Sequence, residues 1–345
     1  MICEGINILD TPSVFRYSNH AMEKFPQSLL QASRYFADPD VCVDFMASMR
    51  WPNGVTCPHC DGKRVSYLSS RRIWKCMKKE CHKQFSVKTG SVFEDSPIPL
   101  DKWMIAVWMV VNCKNGISSY ELARDLKVTQ KSAWFMLHRI RLALKDGFDV
   151  KLGGENGGPV EVDETYIGGK PKNRHRTEQL KRKLGLKASD KAAVFGMLDR
   201  EMRRVRAKVI PNVKRETLQA EILNAIERKS VVYTDRFTAY DNLAESDFVH
   251  DAVNHVQEYV RGKVHTQGIE NFWSLLKRGL NGTYVAVEPF HLDAYVDEQA
   301  FRYNNRATKD NPLNDADRFV LAVSQVAGKR LTYAELTGKV PETAF

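Results

Sequence analysis

"PVEVDETYIGG", residues 159–169, reads as a strand with an acid, Asp163, inside it. What flanks it decides how the second half of the chain is organised. Immediately before it, "GGENGGP" (153–159) packs four glycines and a proline into seven residues, the clearest linker signal in the sequence. After it come two more apolar runs, "KAAVFGMLD" (191–199) and "RRVRAKVIP" (203–211). A helical pattern follows in "KRETLQAEILNAIERK" (214–229), with Leu218, Ile222, Leu223 and Ile226 on one side. "SVVYTD" (230–235) then reads as a buried strand ending in a second acid, Asp235.

Three strands, a helix, a fourth strand and further helices is the order of a ribonuclease-H-like α/β domain, although other α/β folds share it. One later helix, "HTQGIENFWSLLKRG" (265–279), carries an acid in its first turns, Glu270, and a basic pair, Lys277 and Arg278. Glu270 and Lys277 are seven residues, about two turns, apart and so share a face, with Trp273 and Ser274 between them. Asp163, Asp235 and Glu270 therefore fall on three separate rigid elements, the last two separated by 34 residues. Carboxylates from separate elements can hold Mg²⁺ or Mn²⁺ against a phosphate, because these hard ions take oxygen ligands and keep several waters. Two such ions are able to stabilise both the attacking and the leaving oxygen of a phosphoryl transfer. Glu161, Glu164 and Asp199 are rival acids nearby.

The N-terminal half holds different chemistry. "CPHC" (57–60) and "CMKKEC" (76–81) are two close cysteine pairs with 15 residues between them. Cys57, Cys60, Cys76 and Cys81 fit a tetrahedral Zn²⁺ site in a small ribbon, and four thiolates leave no open position for catalysis. The zinc is expected to be structural, contributing about 10 kcal/mol or more to a unit with little core of its own. His59 and His82 are not needed as ligands. Cys3, Cys42 and Cys113 stand apart and read as ordinary thiols. Further on, Ser118 with Glu121 three residues later begins a helix as a capping box, and Thr129 caps a second helix over roughly 130–144. Gln130, Lys131, His138, Arg139 and Arg141 supply polar positions on that second helix. The layout suits a helix-turn-helix whose second helix enters a DNA major groove; a helical hairpin packed inside a domain gives the same pattern.

Composition agrees with a nucleic-acid partner. The 345 residues carry a net charge of +10 and a pI near 9.2, the electrostatic footprint of a protein that meets a polyanion. Nine lysines and arginines fall between Lys170 and Lys191, Lys170, Lys172 and Arg174 among them, and could grip phosphates. The same residues could equally form a solvated loop. No apolar run nears the roughly 20 residues that span a membrane. The first residues lack the pattern of a secretory signal, so a cytoplasmic location with reduced thiols is expected.

Taken together, "CPHC…CMKKECHKQFSVKTGSVFEDSPIPLDKW", "GISSYELARDLKVTQKSAWFMLHRI", "VEVDETYIGGK", "HTQGIENFWSLLKRGLNGTY" and "HLDAYVDEQAFRYNNR" resemble the bacterial insertion-sequence DDE transposases of the ISXO-like, zinc-ribbon type. The likeness covers roughly residues 25–325. It implies that Asp163, Asp235 and Glu270 are the catalytic, Mg²⁺-binding acids, and that Lys277 contacts the DNA end. Gln267 stands where the family more often has Asn. The resemblance also implies double-stranded DNA as substrate, strand cleavage and transfer as the reaction, and at least a dimer to pair two ends. The expected organisation is an N-terminal helical segment (1–50), the ribbon (51–95), the helix-turn-helix region (96–150), a ribonuclease-H-like domain (151–325) and a tail (326–345). A DNA-binding regulator with a dead catalytic domain and a cellular nuclease or junction resolvase are the rival readings. The first would be free to lose its acids, and the second has no evident need for an end-binding ribbon.

Overall fold

A computed structural model describes residues 25–145, 150–155, 157–168, 191–235, 238–240, 248–253, 265–309 and 311–339. The chain divides into two units, residues 145–306 forming one and the segments on either side of it the other.

In the flanking unit, α1 (Leu29–Tyr35) and α2 (Pro39–Arg50) start on Ser28 and Asp38, whose side chains accept from backbone N–H groups of their first turns. A three-stranded antiparallel sheet follows: β1 (Val65–Leu68), β2 (Ile73–Cys76) and β3 (Gln84–Phe85). Its apolar face is small, with Trp51, Trp74 and Phe85 packed edge-on and stacked within about 6 Å of one another. The unit is centred on α3 (Leu100–Asn112), apolar nearly all round and buried from Trp103 through Val111 at all but one position. Such a helix is stable only when neighbours cover every side. α4 (Ser119–Leu126) and α5 (Gln130–Leu144) form the expected helical pair, the first opening on the Ser118–Glu121 capping box. Thr129 Oγ1 accepts from Ser132 N at 3.1 Å and starts the second.

The chain re-enters this unit after residue 306, not at 325 as the sequence suggests. Its largest buried anchor is one aromatic residue on α9 (Asp315–Ser324). Phe319 is fully buried and lies within 6.4 Å, centroid to centroid, of Phe25, Phe36, Phe45 and Trp108. A short last helix, α10 (Tyr333–Leu336), brings Tyr333 against Phe135 of α5.

The other unit is built on a five-stranded sheet of β4 (Val160–Ile167), β5 (Ala192–Asp199), β6 (Arg204–Ile210), β7 (Val231–Asp235) and β8 (Val249–Val253). Its order is β6-β5-β4-β7-β8. β5 runs antiparallel to both its neighbours, β4 and β6, and β7 and β8 run parallel to β4. Helix α6 (Arg215–Ala225) makes the crossover between β6 and β7 and covers one face. Leu218 and Ile222 pack there on Val160, Val162, Phe195 and Val232. Helices α7 (Gln267–Gly279) and α8 (Leu292–Asn304) cover the other, with Ile269, Phe272, Trp273 and Leu276 on Val194, Leu198, Val205 and Ala207. α8 also closes the sheet edge: Asn304 and Asp293 accept the β6 backbone N–H groups of Val205 and Val209, each at 2.7 Å.

The glycine run read as a linker belongs to this unit. Asp199, fully buried, accepts from the N–H groups of Gly153 (2.8 Å) and Gly158 (3.1 Å), so the run wraps around a carboxylate. A Cβ on Gly157 would lie 2.5 Å from that carboxylate, which explains a glycine there.

Candidate active site and zinc centre

Because β4 alternates, Val160 and Val162 face α6, while Glu161 and Asp163 face α7. An acid pair aimed at a buried helix is a strong departure from an apolar sheet face, and each acid is answered by α7. Glu161, 1% exposed, accepts from the backbone N–H of Ile269 at 2.9 Å and pairs with Arg200 at 2.7 Å. Its role is to fix the start of the helix. Gly268 makes this approach possible, since a Cβ there would sit 2.9 Å and 3.1 Å from the two Glu161 oxygens and 3.1 Å from Leu198. Gly268→Ala is therefore expected to push the first turn off the sheet and destabilise the protein by about 1–3 kcal/mol. A lowered melting temperature in a thermal scan checks this.

Asp163 is held differently. Trp273 Nε1 donates to its Oδ2 at 3.0 Å. β4 and β7 pair in parallel, Val160 beside Val232 and Glu161 beside Tyr233. Two residues further along each strand stand Asp163 and Asp235, near enough that the charge of Asp235 bears on the Asp163 carboxyl. Burial, helped by the charges of Glu164 and Asp235, pushes the Asp163 carboxyl up to about 7, against the indole bond. Glu164 points to the opposite face, where the Tyr240 hydroxyl donates to it at 2.6 Å; burial raises its carboxyl as well.

Glu270 is exposed on α7, one turn before Trp273, and its Oε1 accepts from Thr266 Oγ1 at 3.2 Å. Lys277 and Arg278 are exposed in the last turn, about 10 Å further along the axis. Asp163 and Asp235 thus stand close enough for one charge to act on the other, and Glu270 hangs from the helix that grips Asp163. The structure does not draw the three into a tight set. Among the described residues, the four cysteines make the one group of three or more such ligands with atoms all within 4.8 Å. Of the rival acids, Glu161 and Asp199 are absorbed by structural bonds.

The cysteines themselves are arranged for a tetrahedral ion. Cys57 and Cys81 sulfurs are 3.8 Å apart and those of Cys60 and Cys76 3.6 Å. Four sulfurs at about 2.3 Å from one Zn²⁺ would be separated by roughly 3.8 Å. The residue after each pair, Asp61 and His82, has a left-handed φ of 55° and 48°, turning the chain sharply behind its two ligands. Neither His59 nor His82 joins the set.

The second helix of the pair differs most from expectation. His138, Arg139 and Arg141 are buried. Arg139, expected to touch DNA, donates instead to the carbonyls of Glu94 (2.7 Å) and Leu331 (3.1 Å) and lies over the Phe135 ring. Periodicity could not foresee this, because the returning C-terminal segment supplies one of the carbonyls. The first turn stays reachable: Lys131 is exposed beside the Tyr333 ring, and Gln130 is half-buried, donating to Ser119. Lys170, Lys172 and Arg174 lie outside the described residues. Trp273, Gly196 and Gly268 were missed as site residues, although "GIENFW" places the tryptophan one turn after Glu270.

One chain thus carries a four-cysteine cluster and a sheet with an acid-bearing face, and family models match both parts. Residues 38–84 match the transposase zinc-ribbon domain and residues 155–304 the ISXO2-like transposase domain. A protein in transposable element ISH50 of Halobacterium salinarum is 34% identical over 252 residues, covering 69% of this chain and 82% of that protein. A transposase-like protein of Haemophilus influenzae is 36% identical over 101 residues, 29% of this chain and 81% of that one. The chain belongs to the ISXO2-like, zinc-ribbon transposase family. No described helix is long and apolar enough to cross a membrane.

Proposed function

We propose that this transposase binds the terminal inverted repeats of an insertion sequence, nicks the DNA there and joins the freed end to target DNA. The observation that carries the reading is the Asp163–Asp235 pair. Burial pushes the Asp163 carboxyl up to about 7, and the like charge of Asp235 adds to that rise, so two carboxylates repel across a partly desolvated site. A cation relieves both penalties, so the pair fits Mg²⁺ or Mn²⁺, with Glu270 as the third ligand. When bound, the metal supplies Lewis-acid stabilisation of the charge that develops on a phosphodiester and activation of the attacking oxygen.

The sheet supports a ribonuclease-H-like assignment: three antiparallel strands lead in order into two parallel ones, with the first and fourth strands in sequence carrying the acids. Lys277 and Arg278, exposed on the helix that bears Glu270, would hold the phosphates of the DNA end. Gln130 and Lys131 would enter the major groove from the first turn of α5, the part of a recognition helix that ordinarily meets base edges. The ribbon would contribute to end binding, and at least two copies would pair two ends. In the reaction a water oxygen attacks phosphorus and the bond to the 3′ oxygen breaks. The resulting 3′-OH then exchanges one phosphodiester for another in the target, with no protein-bound intermediate.

The test is cleavage by the purified chain of a duplex carrying the repeat that flanks its own coding region. Nicking with Mg²⁺ that stops on chelation supports the reading. Binding of that duplex without cleavage under any divalent ion would favour a regulator, and equal cutting of unrelated junctions a cellular nuclease.

A further inference from the structure

Asp163 accepts a hydrogen bond from a residue that bears no charge, Trp273. Gly196 on β5 is the direct cross-strand partner of Asp163. A Cβ at Gly196 would lie 2.5 Å and 2.6 Å from Cη2 and Cζ2 of Trp273, and 3.0 Å from Ile269 Cδ1. The backbone of Gly196 is not in the left-handed region, so its lack of a side chain serves space and not φ. The bare backbone lets the benzo ring of a buried indole, 4% exposed, come against the sheet beside the acid. Laid there, its single donor, Nε1, reaches Asp163 Oδ2 at 3.0 Å. Core packing alone does not demand this direction, because a phenylalanine ring would fill much of the same volume. The indole N–H occupies one oxygen of the carboxylate, and the backbone of Glu164 gives the group a second hydrogen bond.

We infer that Trp273 is a positioning residue: seated by Gly196, its indole N–H fixes the Asp163 carboxylate so that one oxygen faces Asp235 and a shared divalent cation. The inference rests on the reading of Asp163 as a metal ligand. Groups that orient a ligating side chain from behind commonly change metal affinity 10–100-fold when removed. The same helix carries Glu270 one turn earlier, so the bond also ties the third acid's helix to the first acid.

Mn²⁺ affinity of the full chain, measured by electron paramagnetic resonance without DNA, separates this from a packing role. Trp273→Phe keeps an aromatic ring and removes the donor. Replacing Trp273 by benzothienylalanine, which has the indole's shape without its N–H, removes the donor alone and decides the matter should the phenylalanine variant fold poorly. Expected is Mn²⁺ binding weakened about 10-fold or more, with the benzothienyl variant melting as the parent does. DNA cleavage should then recover as Mn²⁺ is raised. Gly196→Ala, which must displace the indole, should weaken Mn²⁺ binding too. Unchanged affinity in the benzothienyl variant, while Asp163→Asn loses Mn²⁺, overturns the inference and leaves the functional reading standing. Unchanged affinity in Asp163→Asn as well brings down the functional reading, and the inference with it.

Discussion

Asp163→Asn is expected to lower metal-dependent DNA cleavage at least about 10³-fold, since it removes an anionic ligand from a site where electrostatic stabilisation supplies most of the rate. The side chain keeps its size and can still accept from Trp273, so the loss will not come from unfolding. Removing a half-buried charge that feels the charge of Asp235 relieves both desolvation and repulsion. The variant should therefore be as stable as the parent or more so, the pattern of a site strained for function. Asp235→Asn should behave alike. Glu270→Gln, on an exposed side chain, should lose cleavage with little change in melting. Glu161→Gln gives the contrast: it breaks a buried ion pair with Arg200, which costs about 3–5 kcal/mol. Parallel thermal scans and cleavage assays with the four variants distinguish the acids that do chemistry from the one that builds the fold. Cleavage by Asp163→Asn at the parental rate would remove it from the site.

The second large effect belongs to zinc. Cys57→Ser should abolish binding of about one Zn²⁺ per chain and unfold the ribbon, because the ion contributes about 10 kcal/mol or more. Trp51, Trp74 and Phe85 are too few to hold three short strands without it. Hydrogen exchange should show protection lost across β1 to β3 while α3, whose burial owes nothing to the metal, keeps its own. Metal analysis completes the test. Full protection of the ribbon in zinc-free protein would show that the aromatic cluster suffices.

How much of this could be read from the chain alone varied with the range of the interactions. The two cysteine pairs, the Ser118–Glu121 capping box and the strand around Asp163 carry short-range signals, and each stands where it was expected. Asp163 is conspicuous because it is a charged residue in an apolar strand. Trp273 and Gly196 are not: an indole on an apolar helix face looks like core, and a glycine in a strand gives no hint of the ring packed against it. Arg139 was misjudged for a related reason. Its two carbonyl partners come from residues 45 positions before and 192 positions after it, and no local pattern encodes such distant acceptors. Phe319 likewise reassigns the C-terminal segment through contacts with rings up to 294 positions away in sequence (319 against 25).

Whether one divalent ion bridges the three acids can be seen directly by anomalous scattering from crystals of the protein soaked in Mn²⁺. Density for manganese bounded by the carboxylates of Asp163, Asp235 and Glu270 is the expected result. Manganese bound elsewhere, with Glu270 still turned to Thr266 and the Asp163–Asp235 pair left bare at saturating metal, would contradict it.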